Sequence, residues 1–231
     1  MKNKIINIFK SIGIILLLLL FSTFFFALFN IDPKSITDKE YLLYLTISEF
    51  VLLIIFILIY HKTLIKDGKN YFKDFRKNFE VSFKYWLIGF ILMIISNIII
   101  VYVLKLTIAD NEEIVRSYID ISPILMIFST VIYAPICEEL TFRKSIKDAI
   151  KNKWLYILVS GLLFGYLHIA SYINTPLDLI HIIPYSSLGI VFALLYYKTD
   201  NIFSTITVHA MHNLLSVLVY ILLGGLLWKS L

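Results

Sequence analysis

Seven stretches of mainly apolar residues recur along this chain, at roughly 11–29, 41–60, 85–104, 121–142, 154–172, 177–197 and 202–227. Each is close to the ~20 residues that one helix needs to cross a bilayer. In hydrocarbon every backbone amide must find its partner within the chain, so runs of this length form a bundle of transmembrane helices. Composition agrees: 59% of the residues are hydrophobic and only 16% are charged. A soluble core cannot hide that much apolar surface. The expected fold is all-α and polytopic, a single membrane domain over 1–231 with about seven spans. The sequence shows no internal repeat, no low-complexity linker and no stretch long enough for a soluble domain.

The N-terminal MKNKIINIFKSIGIILLLLLFSTFFFALF has the basic start of a secretion signal. Its apolar run exceeds the roughly 7–15 residues of a signal core, and no small-x-small site follows, so it reads as a retained first span. With the N-terminus inside, the inner segments hold Lys2, Lys4, Lys10, Lys62, Lys66, Lys69, Lys73, Arg76, Lys77, Lys84, Arg143, Lys144, Lys147, Lys151, Lys153 and Lys198. The outer segments hold only Lys34, Lys39, Lys105, Arg116 and Lys229. The positive-inside rule therefore favours an inner N-terminus and an outer C-terminus, and the formal net charge of +5 reads as topology rather than as a nucleic-acid surface. The basic segment 61–84 reads as an ordinary cytoplasmic loop. The alternative is an amphipathic surface helix, with Tyr71, Phe72, Phe75 and Phe79 at spacings of three and four, which would meet anionic lipid or recruit substrate.

Ionisable residues inside such runs are expensive and are functional candidates by default. In CEELTFR, Glu139 and Arg143 are four apart on one helix face and can pair. Glu138 is rotated by about 100° from Glu139, which leaves it free to face a cavity as a general base or acid. In LLFGYLHIASY, Phe164 and His168 share a face, and in ITVHAMHNLLS so do His209 and Asn213, with His212 nearby. A packed histidine and a helix-bridging amide are the bland readings of these two. Depth couples the three clusters. If the fourth helix ended at Arg143, Glu138 would lie about 8 Å from its inner end, against roughly 20 Å for His168 and about 12 Å for His209. Running on to about Ile150 puts Glu138 roughly 18 Å in and lets them converge, with Arg143, Lys144 and Lys147 snorkelling or lining a vestibule.

Other polar residues have plainer readings. Cys137 lacks a base at an obvious spacing and reads as a packing residue, and one cysteine excludes an internal disulfide. Glu49 belongs either to a proton path or to a polar seam. Asp178 and His181 fall near the outer start of the sixth span, while Pro135 and Pro184 should bend their helices.

Taken together, Glu138-Glu139-x-x-x-Arg143, Phe164-x-x-x-His168 and His209-x-x-x-Asn213, in this order on successive helices, resemble the CAAX prenyl endopeptidase and bacteriocin-processing family of intramembrane proteases. The likeness covers about 121–220, and every motif position is matched. It implies hydrolysis of a peptide bond within the membrane. Glu138 with His168 would activate water, and His209 with Asn213 would bind the oxyanion. Glu139 with Arg143 would hold the helix, Phe164 would pack beside the site, and His212 would be structural. The family resemblance leaves two mechanisms open: a metal-free glutamate mechanism, or a zinc ion on Glu138, His168 and His209. The absence of a local HExxH favours the first. The implied substrate is a membrane-associated peptide or protein precursor, with bacteriocin processing or self-immunity as the setting. An Ile-, Lys- and Asn-rich composition suggests an AT-rich bacterial genome, and hence a bacterial plasma membrane. The implied partners are lipid and a membrane-bound substrate, with no nucleic acid. A proton-coupled transporter or a non-catalytic membrane regulator are the competing classes.

Overall fold

A computed structural model of the chain describes residues 2–106 and 110–224. The expected end of the last span at 225–227 and Lys229 lie outside the described residues. Among the described residues every regular element is helical. Seven helices are long and apolar enough to cross a membrane: Ile5–Leu28, Asp38–Lys73, Phe75–Val103, Pro123–Ala149, Lys153–Tyr172, Pro176–Thr199 and Phe203–Leu222. These are called the first to seventh spans below. A shorter helix, Asp110–Ile121, precedes the fourth. Leu and Ile side chains such as Leu20, Leu58, Ile88, Leu158 and Leu222 stand exposed along the spans. In water such a surface would aggregate, whereas lipid is its matching solvent. The protein is a multi-pass integral membrane protein.

Local chemistry sets the helix ends. Thr37 and Glu40 form a capping box at the start of the second span. Asn152 accepts from the Leu155 amide at the start of the fifth. Thr175 and Asp178 box the short 3-10 turn that opens the sixth, which ends at Asp200 in left-handed backbone, φ 48°.

The basic segment 61–84 is not a loop. The second span continues through it to Lys73, Asp74 alone interrupts, and the next helix starts at Phe75. The second helix has 36 residues and so measures about 54 Å, well beyond a hydrocarbon slab of ~30 Å. Its aromatic residues hold the projecting end in place. Buried Tyr71 bonds Thr207 Oγ1 at 2.9 Å, and Phe72 stacks on Phe75 at 6.0 Å and packs against Phe203 at 5.5 Å. The Asp67 carboxylate accepts from the Ile202 amide at 3.0 Å, tying this end to the start of the seventh span.

The fifth and sixth spans pack backbone against backbone. A Cβ on Gly161 would stand 2.7 Å from the Ile190 amide nitrogen, and one on Gly165 would stand 2.7 Å from that of Ser186. Gly161 and Gly165 are four apart on one face, the small-xxx-small spacing that lets membrane helices approach closely. The sixth span also packs on the third. The first span lies against the end of the fourth, where Ser11 and Ser145 hydroxyls share a buried hydrogen bond of 3.0 Å.

The fourth span runs to Ala149, so the acid pair sits well inside it. It contains two widened π-helical stretches, Phe128–Tyr133 and Glu139–Ser145, on either side of Ala134–Glu138. Pro135 explains part of this. It has no N–H to give, and the Ala134 amide bonds Ser129 O, one residue further back than in an α-helix. The Thr130 carbonyl is thereby left without a helical donor.

Candidate active site

Glu139 and Arg143 face each other across one turn of the second widened stretch. Arg143 Nε donates to Glu139 Oε2 at 3.0 Å, and both side chains are fully buried. Arg143 Nη1 also donates to Ser160 Oγ at 3.0 Å, and that hydroxyl donates to Phe142 O at 2.7 Å. The guanidinium lies 4.7 Å from the Phe164 ring centre and 5.9 Å from that of Phe192. A charge buried this deeply is tolerable only when paired and hydrogen-bonded on all sides, which is what these partners supply. The expectation that Arg143 snorkels or lines a vestibule is therefore corrected: its guanidinium is a structural brace in the interior. Lys144 and Lys147 behave otherwise, pairing with Asp148 and Asp200 respectively.

The brace extends to the seventh span. Glu139 Oε1 accepts from His209 Nδ1 at 2.9 Å in a fully buried contact. The carboxylate can only accept, so Nδ1 carries the proton and Nε2 faces the other way. There it meets Glu138, whose Oε2 lies 3.8 Å away. Glu138 is the acid of the pair that stays available. Its side chain is 20% exposed, yet its Oε2 is buried without a hydrogen-bond partner. The division of labour between the two acids thus follows their rotation around the helix.

His168 is held by Phe164. Its Nδ1 donates to Phe164 O at 2.8 Å, which leaves the Nε2 lone pair of the neutral ring unoccupied by that bond. The His168 ring rests 4.3 Å from the Phe164 ring and stacks on Tyr185 at 4.8 Å. The other side of Phe164 meets His209 at 5.9 Å. Phe164 thus packs against Arg143, His168 and His209 as a shared wall. Asn213 Nδ2 donates to Thr130 O at 2.7 Å, taking the carbonyl that Pro135 frees. Its second N–H is not used by this bond.

All six motif residues with chemistry to offer therefore lie on the fourth, fifth and seventh spans, joined through Glu139, His209 and Phe164. His212 sits on the far side of the seventh span, accepting from the Trp86 indole at 3.4 Å against the Phe90 ring, which suits a packing role. Cys137 is fully buried. Sequence reasoning missed Ser160, Thr130, Phe192 and Tyr185, because neutral residues in an apolar helix carry no signal of depth. The Gly161–Gly165 spacing is the one signal that could have placed the fifth span tightly on the sixth. A polar cavity of about 210 Å³ lined by Lys66, Asp67, Asn70, Asp200 and Asn201 lies apart from the motif residues.

His209 Nδ1 and His168 Nδ1 are committed to Glu139 and to Phe164 O, which leaves Nε2 as the nitrogen each ring could offer to a metal; among the described residues no three His, Cys, Asp or Glu side chains gather as metal ligands.

The fold and this cluster define a membrane-embedded helical protein with a polar site buried among its spans. Residues 120–215 match the family model described as "Type II CAAX prenyl endopeptidase Rce1-like". That stretch contains the three motifs. Curated relatives agree. A Bacillus subtilis protein named "Putative membrane peptidase YdiL" is 32% identical over 108 residues, 46% of this chain and 41% of that protein. An uncharacterized Mycoplasma capricolum protein is 37% identical over 99 residues, 42% of this chain but only 28% of its own length. The UPF0177 protein YbdI of Lactococcus lactis is 28% identical over 181 residues, 74% of this chain and 93% of that protein. No solved structure matches significantly.

Proposed function

We propose that this protein is a metal-free intramembrane endopeptidase that hydrolyses a peptide bond of a membrane-associated peptide or protein precursor. The observation that carries the reading is Glu138: a carboxylate within a span, with a buried unpartnered oxygen, 3.8 Å from an imidazole nitrogen that is itself oriented from behind. In the reaction, water loses a proton to Glu138, assisted by the free Nε2 of His168, and its oxygen adds to the scissile carbonyl carbon. The resulting oxyanion is met by N–H groups of Asn213 and His209. His209 can donate there only as an imidazolium, since Nδ1–H already serves Glu139; Glu138 and Glu139 flank that charge. The proton on Glu138 then passes to the amide nitrogen as the C–N bond breaks, giving one carboxyl and one amine terminus.

Glu139, Arg143 and Ser160 act on this chemistry only by fixing the helix and the His209 ring. Secreted peptides, bacteriocin precursors or membrane proteins are the substrate class, and lipid and that substrate are the partners. The test is cleavage of a pool of membrane-associated precursor peptides by purified protein in liposomes, read by mass spectrometry. Glu138→Gln and His168→Ala should each lower cleavage by about 10²–10⁴-fold. Full cleavage by the double variant ends the protease reading. Chelator should leave the rate unchanged, and loss restored by zinc ends the metal-free version.

A further inference from the structure

One buried acid has no part in this chemistry. Glu49, in the second span, is 8% exposed. Its Oε1 accepts from Ser129 Oγ at 2.9 Å, whereas its Oε2 is buried with no hydrogen-bond partner. Ser129 belongs to the same widened stretch of the fourth span as Thr130, the acceptor of Asn213. Glu49 is thus delivered to the wall of the site by the irregular backbone that also frees Asn213's acceptor. The second span packs against Ala134–Glu138 of the fourth, and Glu138, like Glu49, has a buried oxygen without a hydrogen-bond partner. The other titratable groups that feel Glu49 are Tyr133 and Cys137 on the fourth span and Tyr41 on its own helix. All of these are acids. The site's one guanidinium is committed to Glu139 and Ser160.

An ionised carboxylate with a single hydroxyl donor is poorly compensated inside an apolar seam. A second one on the adjoining helix is worse, since like charges oppose each other's ionisation through low dielectric. If Glu138 is to work as a base, the charge of the pair belongs to it, and the orphaned oxygen of Glu49 is where the pair's proton can reside. We propose that Glu49 is a positioning residue of this site that carries one proton while Glu138 is ionised, and that losing this proton shuts the site at alkaline pH. The inference rests on Glu138 as the general base. A charged Glu49 would oppose both the ionised Glu138 and an oxyanion forming near Asn213.

The test compares pH–rate profiles of wild type and Glu49→Gln in liposomes. Gln keeps the oxygen that accepts from Ser129 and cannot ionise. The alkaline limb of cleavage should move up by about one pH unit or more; an unmoved limb overturns the proposal. A second measurement needs no substrate. Infrared difference spectra of the purified protein in lipid should show a protonated-carboxyl carbonyl band at neutral pH that Glu49→Gln removes and Glu138→Gln leaves. A spectrum in which Glu49→Gln removes no such band overturns the proposal. Should Glu138→Gln cleave at the wild-type rate, the base assignment falls instead, and the band still reports on Glu49.

Discussion

Asn213 donates to Thr130 O at 2.7 Å because Pro135 has no amide hydrogen to offer that carbonyl. One missing N–H on the fourth span therefore decides where an amide on the seventh points. The two residues should be energetically coupled. Asn213→Ala leaves Thr130 O buried and unpaired, and should cost about 1–3 kcal/mol of stability. In Pro135→Ala the new N–H can reach Thr130 O, so Asn213→Ala should cost less there. Thermal unfolding of the four proteins in detergent gives the cycle, and strict additivity would contradict the link.

Breaking the Glu139–Arg143 brace should unfold rather than merely inactivate. Arg143→Ala strands a fully buried carboxylate, a loss of about 3–5 kcal/mol. Arg143→Lys should recover little of it, because an ammonium cannot serve Glu139 and Ser160 with a planar fork. Melting temperature and yield of folded protein are the readouts. A stable, inactive Arg143→Ala would instead put the guanidinium in the chemistry.

Glu138→Gln should behave in the opposite way. Its carboxylate makes no buried hydrogen bond through Oε2, so melting should hold within about 1 kcal/mol of the wild type while cleavage is lost. A large drop in stability would assign Glu138 to the brace.

Close approach of the fifth and sixth spans predicts a steep size limit at two glycines. Gly161→Val and Gly165→Val place carbon atoms where the Ile190 and Ser186 backbones already lie. Each should displace the fifth span and with it Phe164 and His168, lowering both stability and cleavage. Gly13→Val is the control, because nothing lies within 4 Å of a Cβ there.

The Lys147–Asp200 bridge, at 2.8 Å, gives a stability term with a definite sign. The hydrogen bond from Lys147 holds the Asp200 carboxyl below the ordinary aspartate range. A depressed folded-state value stabilises above the unfolded value, about 3.9, and the contribution is lost as pH falls through the folded one. Asp200 is mostly exposed, so the effect is at most about 1 kcal/mol. Asp200→Asn, which tolerates the left-handed backbone there, should melt slightly below wild type at neutral pH and level with it in acid.

Much of the membrane architecture was legible in the chain itself. The seven apolar runs decide the bundle, because lipid leaves the backbone no alternative to helix. The alternation of Glu138 and Glu139 around a helix decides which acid can be paired and which is free. The basic run at 61–84 misled for a physical reason: its charges look like a loop, yet Tyr71, Phe72 and Asp67 are held by the seventh span, which keeps the backbone helical beyond the slab. What only tertiary structure decided lies in contacts between helices far apart in sequence. That Glu139 serves His209 as well as Arg143, that Ser160 shares the guanidinium, and that Glu49 meets Ser129 depend on packing angles and on two widened turns. A local pattern sets which side chains share a face of one helix. It cannot say which face of another helix will be pressed against it.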